Sequence, residues 1–202
     1  MPYDPIEQEI VNALTRFHPI ALVNGIHSDP DWNKAVKAIL GTIGNQNGYM
    51  SYFNDGRGRP YAQIQQVVQE VFGVKVQIPP VPVPKPSNEW LYDLLWWDQG
   101  DGNIIDARQF HIVDIPLVAE IEWGNANAIT DDFQKLLLAR SKYRVMIFQS
   151  SNKTLDWCTN LIQNFITKHI QNFRPTKSED RYLFGAYVNN EHGFHFKSYV
   201  AP

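Results

Sequence analysis

Cysteine is nearly missing from this chain: Cys158 is the only one in 202 residues. An intrachain disulfide and a thiolate metal cluster are therefore excluded, and the expected compartment is a reducing, cytoplasmic one. An excess of positive charge is missing too. Eighteen Lys and Arg against 21 Asp and Glu leave a formal net charge of −3, which argues against tight nonspecific nucleic-acid binding through many phosphate contacts. A nuclease is not excluded, because a metal-binding acid cluster itself lowers the net charge. No apolar run approaches the ~18–20 residues of a membrane span, so no membrane partner is expected. The opening residues Met1 to Glu7 have neither the basic nor the apolar region of a secretory signal, which makes the Asn152-Lys153-Thr154 sequon an accident. Gly-x-Ser-x-Gly, a phosphate-binding loop and a dinucleotide fingerprint are also absent.

What is present is aromatic and patterned. Six tryptophans and an aromatic share of 13% call for a large core or an aromatic surface. Helical spacing predicts helices from Asp4-Pro5 to about Phe17-His18-Pro19, over 31–43 and over 61–72, with Gly73 as the stop. Residues 41–58, rich in Gly and Asn, read as loop, and 74–78 as a short strand. Residues 79–86 hold five prolines in eight positions, an extended connector close to polyproline II. Strands are then expected at 90–97, 109–115 and 117–123, with Pro116 as a bend between the last two. A helix at 131–141 with Thr130 as N-cap, a strand at 144–148, a helix at 154–170 and strands at 183–188 and 194–200 complete the chain. This predicts an α/β (α+β) fold, a central mixed sheet flanked by helices. It divides the chain into a helical part (1–78), a connector (79–88) and an α/β core (89–202), packed as one compact domain.

The chemistry-bearing residues interrupt two apolar strands. Residues 90–97 are aromatic and aliphatic on both faces, with Asp93 in the middle. Residues 117–123 alternate, so Leu117, Ala119, Ile121 and Trp123 share one face, while Val118, Glu120 and Glu122 share the other, the two carboxylates roughly 7 Å apart. Carboxylates in such surroundings cost several kcal/mol each unless something positive neutralises them. A divalent cation, which prefers hard oxygen ligands, fits that need. Asp114 is the alternative to Asp93, but six residues upstream of Glu120 on an extended segment it would lie roughly 20 Å away. Asp106 is a weaker substitute.

Asp93, then Glu120-Ile121-Glu122, then a helix carrying Gln134 and Lys135 and a further strand, resembles the PD-(D/E)XK superfamily of restriction endonuclease-like nucleases over residues 88–150. Glu122 stands where that signature has lysine, making an E-x-E variant, and Tyr92 stands where it has proline. The resemblance implies a restriction endonuclease-like core and Mg²⁺-dependent (or Mn²⁺-dependent) hydrolysis of phosphodiester bonds, in DNA or else in RNA. It assigns Asp93 and Glu120 to the metal. Glu122 takes a second ion or acts as general base, and Lys135 supplies the cation that the strand lacks. Arg57 and Arg59, in a glycine-rich stretch, are candidates for substrate phosphates. A homodimer is compatible with the sequence. The rival expectations are a catalytically inactive restriction endonuclease-like fold kept as a binding or structural protein, and an unrelated α/β interaction domain. His192 and His195 lack partners at zinc-like spacing. Arg140, on the apolar face of the helix at 131–141, is expected to be partly buried beside an acid.

Overall fold

The computed structural model describes residues 2–53, 60–74, 91–98, 112–149 and 153–202. Arg57, Arg59, Asp106, Asn152, residues 75–78, the proline connector and residues 109–111 lie outside the described residues.

Among the described residues, six strands form one mixed sheet in chain order: β1 (Met50–Phe53), β2 (Leu94–Asp98), β3 (Asp114–Glu122), β4 (Tyr143–Gln149), β5 (Arg181–Val188) and β6 (Gly193–Val200). β1, β2 and β3 are antiparallel in succession, β3, β4 and β5 are parallel, and β6 returns antiparallel. Helices α1 (Pro5–Val23), α2 (Asp29–Gln46) and α3 (Tyr61–Phe72) pack on the face carrying Leu94, Trp96, Leu117, Ala119 and Ile121. Helices α4 (Ala126–Leu138) and α5 (Leu155–Asn164) cover the face carrying Leu95, Trp97, Val118, Met146 and Phe148. Strands β2 to β5 are thus buried on both faces, which explains their near-continuous apolar runs. The α+β class expected from the sequence is the one that forms.

Several elements depart from the expected boundaries, each for a physical reason. Helix α1 runs through Pro19 to Val23. Burial of Phe17, His18 and Ala21 outweighs the roughly 3 kcal/mol that an interior proline costs. Helix α2 starts at Asp29 behind the Ser28 cap and passes through Gly41 and Gly44. A Cβ on Gly44 would stand 2.6 Å from Trp96 Nε1 and 2.7 Å from Ser51 Oγ, so glycine is what lets α2 lie on the sheet. The stretch read as loop contains β1, four residues recruited by pairing with β2 rather than by any periodicity of their own. Residues 114–122 form a single strand through Pro116. Its register with β2 slips between Trp96 and Asp98, leaving Pro116, which has no N–H to donate, at the irregularity. Helix α4 begins at Ala126, because Asn125 and not Thr130 accepts the first free amides, those of Asn127 and Ala128. It ends at Leu138, so Arg140 is exposed. The buried guanidinium belongs to Arg144, which pairs with Asp180 and donates to the carbonyls of Leu136 and Ala139.

The chain ends meet at a second buried charge. Glu7, 1% exposed, accepts from Arg181 Nε (3.2 Å) and Nη2 (2.7 Å), from Ser198 Oγ and from the Asp4 amide. Asp4 caps α1 and accepts from the Tyr143 hydroxyl, and the Tyr3 hydroxyl donates to the Phe196 carbonyl on β6. Glu7→Ala is expected to cost about 3 kcal/mol in urea unfolding at pH 7, since Arg181 is left without its partner. Glu191→Ala, which removes an exposed contact with His195, is expected to cost under ~1 kcal/mol. Equal losses would show that the Glu7 cluster is not the anchor described.

Candidate active site

β3 is the strand on which the site is built. Its pairing with β2 runs from Trp96↔Leu117 to Leu94↔Ala119. Asp93 is therefore not a mid-strand residue as the sequence pattern suggested; it is the first residue beyond the end of β2, level with Glu120. Its backbone N–H donates to the Glu120 carboxylate. Its side chain turns to β3 and α2: Oδ2 accepts from the Ile121 amide at 3.0 Å, and Oδ1 accepts from Lys37 Nζ at 2.7 Å.

Glu120 lies on the α4 side of the sheet and is 2% exposed. Its Oε1 is buried without a hydrogen-bond partner, and the nearest cation, Lys135 Nζ on α4, is 3.6 Å away. Burial, reinforced by the charges of Asp93 and Asp132, pushes its pKa up to about 8. Glu122 is also pushed up, first by burial and then by the charge of Asp132, with which it shares a side-chain hydrogen bond. The Gly124 amide donates to Glu122, and a Cβ on Gly124 would stand 2.5 Å from Glu122 Oε1, so only glycine leaves that carboxylate its place. Lys135 reaches Asp132 at 2.6 Å. Burial works against its charge, but Asp132, Glu120 and Asp93 outweigh that and hold its pKa above the usual lysine range.

Asp93, Glu120, Glu122 and Lys135, singled out from the sequence, are thus brought together at one end of β2. Asp114 is not among them: it sits at the far end of β3 and accepts from the next amide in the chain. Two participants escaped the sequence reading. A helix starting at 131 would put Asp132 in its first turn, but α4 begins at Ala126, which turns Asp132 toward Glu122. Lys37 sits in the run Ala35-Val36-Lys37-Ala38-Ile39-Leu40 of α2, all of it buried. A lone charge inside such a run was the available signal.

Among the described residues, no three His, Cys, Asp or Glu side chains are placed to enclose a metal ion by themselves. Mg²⁺ commonly takes only one or two carboxylates and completes its shell with water and phosphate oxygens. Asp93 and Glu120, whose Oε1 has Lys135 nearby but no hydrogen bond, offer carboxylate oxygens of that kind. Comparisons with protein-family models, with curated proteins and with solved structures gave no match. The geometry speaks alone.

A raised carboxyl pKa sets a pH dependence. Glu120 moves from 4.5 in the unfolded chain to about 8 in the fold, so its protonated form favours folding. That contribution is fully present below about pH 4.5 and is lost as pH rises through about 8, with a slope of up to about 1.4 kcal/mol per pH unit. Glu120→Gln imitates the protonated form. In metal-free buffer it is expected to match wild type near pH 4, to gain on it between about pH 5 and 8 and to level off above that, read from urea midpoints. A constant difference across that range would mean that Glu120 ionises freely.

Proposed function

We propose that this protein is a divalent-metal-dependent nuclease of the restriction endonuclease-like kind, hydrolysing phosphodiester bonds in DNA. The observation that carries this reading is Glu120: a carboxylate oxygen buried without a hydrogen bond, next to Asp93 and facing a lysine at 3.6 Å. The element order supports it as well. Asp93 immediately precedes β2, Glu120-Ile121-Glu122 lies on the antiparallel neighbour, and α4 and the parallel strand β4 follow.

Asp93 and Glu120 would hold Mg²⁺ or Mn²⁺, which supplies Lewis-acid stabilisation of the phosphoryl group and a more acidic water. Glu122 takes the proton from the attacking water; its raised pKa brings it toward the working pH of a general base. Lys135 offsets the charge that gathers on the phosphoryl oxygens, the role for which the strand itself has no lysine. Asp132 holds Lys135 and Glu122 in place.

A second reading has its own observation. Lys37 stands at 2.7 Å from Asp93 and Lys135 is already bound to Asp132, so the acids are partly neutralised from within. This favours a catalytically inactive relative that keeps the fold for binding or structure.

The deciding assay is release of labelled fragments from plasmid, single-stranded DNA and RNA with Mg²⁺ or Mn²⁺. Wild type is expected to cleave DNA, and Glu120→Gln to lose activity by orders of magnitude while remaining folded. Lys135→Met is expected to slow cleavage by about 10²-fold, the loss of one electrostatic contact. Cleavage that survives in Glu120→Gln would place the activity elsewhere. No cleavage by wild type on any substrate would favour the inactive relative.

A further inference from the structure

At its active-site end β3 keeps β4 on one side, but among the described residues no strand pairs with it on the β2 side, where side chains from elsewhere take the strand's place. The pairing of β2 with β3 ends at Leu94↔Ala119. Ile121, between the two glutamates, lies beyond that point and points both backbone groups toward the side that β2 has left. Buried amides and carbonyls have to be paired. The Ile121 amide donates to Asp93 Oδ2 at 3.0 Å, and the Ile121 carbonyl accepts from Asn33 Nδ2 at 3.1 Å. Asp93 is itself held at Oδ1 by Lys37 Nζ at 2.7 Å. Asn33 and Lys37 are four residues apart and share one face of α2, and the Lys37 side chain is 4% exposed.

We infer that Asn33 and Lys37 are positioning residues of the active site. From a helix on the opposite face of the sheet from Glu120, they fix the backbone between Glu120 and Glu122 and the carboxylate of Asp93 in the arrangement that receives the metal and the substrate phosphate. The inference rests on the nuclease reading above. Neither residue touches the reacting atoms. Lys37 acts through Asp93, and Asn33 acts through the β3 backbone. Partners of this kind behind metal-binding groups are worth 10- to 100-fold in metal affinity or activity.

The test uses the full chain, with Asn33→Ala, Lys37→Met and Lys37→Arg compared with wild type for kcat and KM on labelled DNA with Mg²⁺, and for Mn²⁺ affinity by calorimetry. Asn33→Ala changes no charge and carries the test if Lys37→Met fails to fold, which circular dichroism reports. Asn33→Ala and Lys37→Met are each expected to lower kcat by about 10- to 100-fold, with KM within about threefold of wild type, and Lys37→Arg, which keeps a charged donor to Asp93, is expected to regain most of the loss. If wild type cleaves and the folded variants keep its kcat, the positioning role is overturned and the nuclease reading stands. Lys37→Arg as slow as Lys37→Met would overturn the charge-holding role of Lys37. If wild type binds Mn²⁺ without cleaving, the nuclease reading fails. Positioning then stands on Mn²⁺ affinity weakened about 10- to 100-fold in Asn33→Ala, and falls if that affinity is unchanged. Wild type that neither cleaves nor binds Mn²⁺ overturns both.

Discussion

A carboxylate kept from water must stay protonated or find a cation, and Glu120 is where this fold meets that demand. β3 lies inside the sheet, with helices on both faces, so nothing on the strand itself can relieve the charge. The relief comes from outside. α4 brings Lys135 from one layer, and α2 brings Lys37 from the other to Asp93 at the end of the neighbouring strand. The site is therefore a property of the three layers together.

The start of α4 carries a similar load. Within four residues the chain finishes β3, places Glu122, turns at Gly124 and caps a helix with Asn125. Asp132 and Lys135, three apart on that helix, then stand over the two glutamates. A shift of one residue in the helix start would rotate both by about 100°. The spacing between Glu122 and Asn125 is thus as much a part of this arrangement as the acids themselves.

What the residues revealed in advance was the pattern of strands and the acids within them. Alternation in 117–123 placed Glu120 and Glu122 on one face, and a strand buried on both sides tolerates a charge only where a partner meets it, as Asp180 meets Arg144. The partners were harder to read. α2 is buried along most of its length, so its apolar period is blurred, and the one trace of Lys37 is a single charge in the apolar run 35–40. Thr130 imitates an N-cap, and that misplacement hid the role of Asp132. Arg140 and Arg144 both follow the end of α4, and which of them is buried depends on where the helix stops. β1 and the bulge at Pro116 exist only because of β2, and pairing partners distant in sequence leave no local trace.

The joining of the two ends of the chain bears on how the protein is made. Glu7 needs Arg181 and Ser198, and the Tyr3 hydroxyl reaches the carbonyl of Phe196, contacts that span 174 to 193 residues. A ribosome delivers α1 before β5 and β6, so until they emerge its buried acid has the Asp4 amide but neither Arg181 nor Ser198. α1 is thus locked by residues that follow it by more than 170 positions, and a chain cut short before Arg181 carries an acid built for burial without its counter-charge. Long-range closure of this kind slows folding and lengthens the time an incomplete chain exposes its apolar helix face.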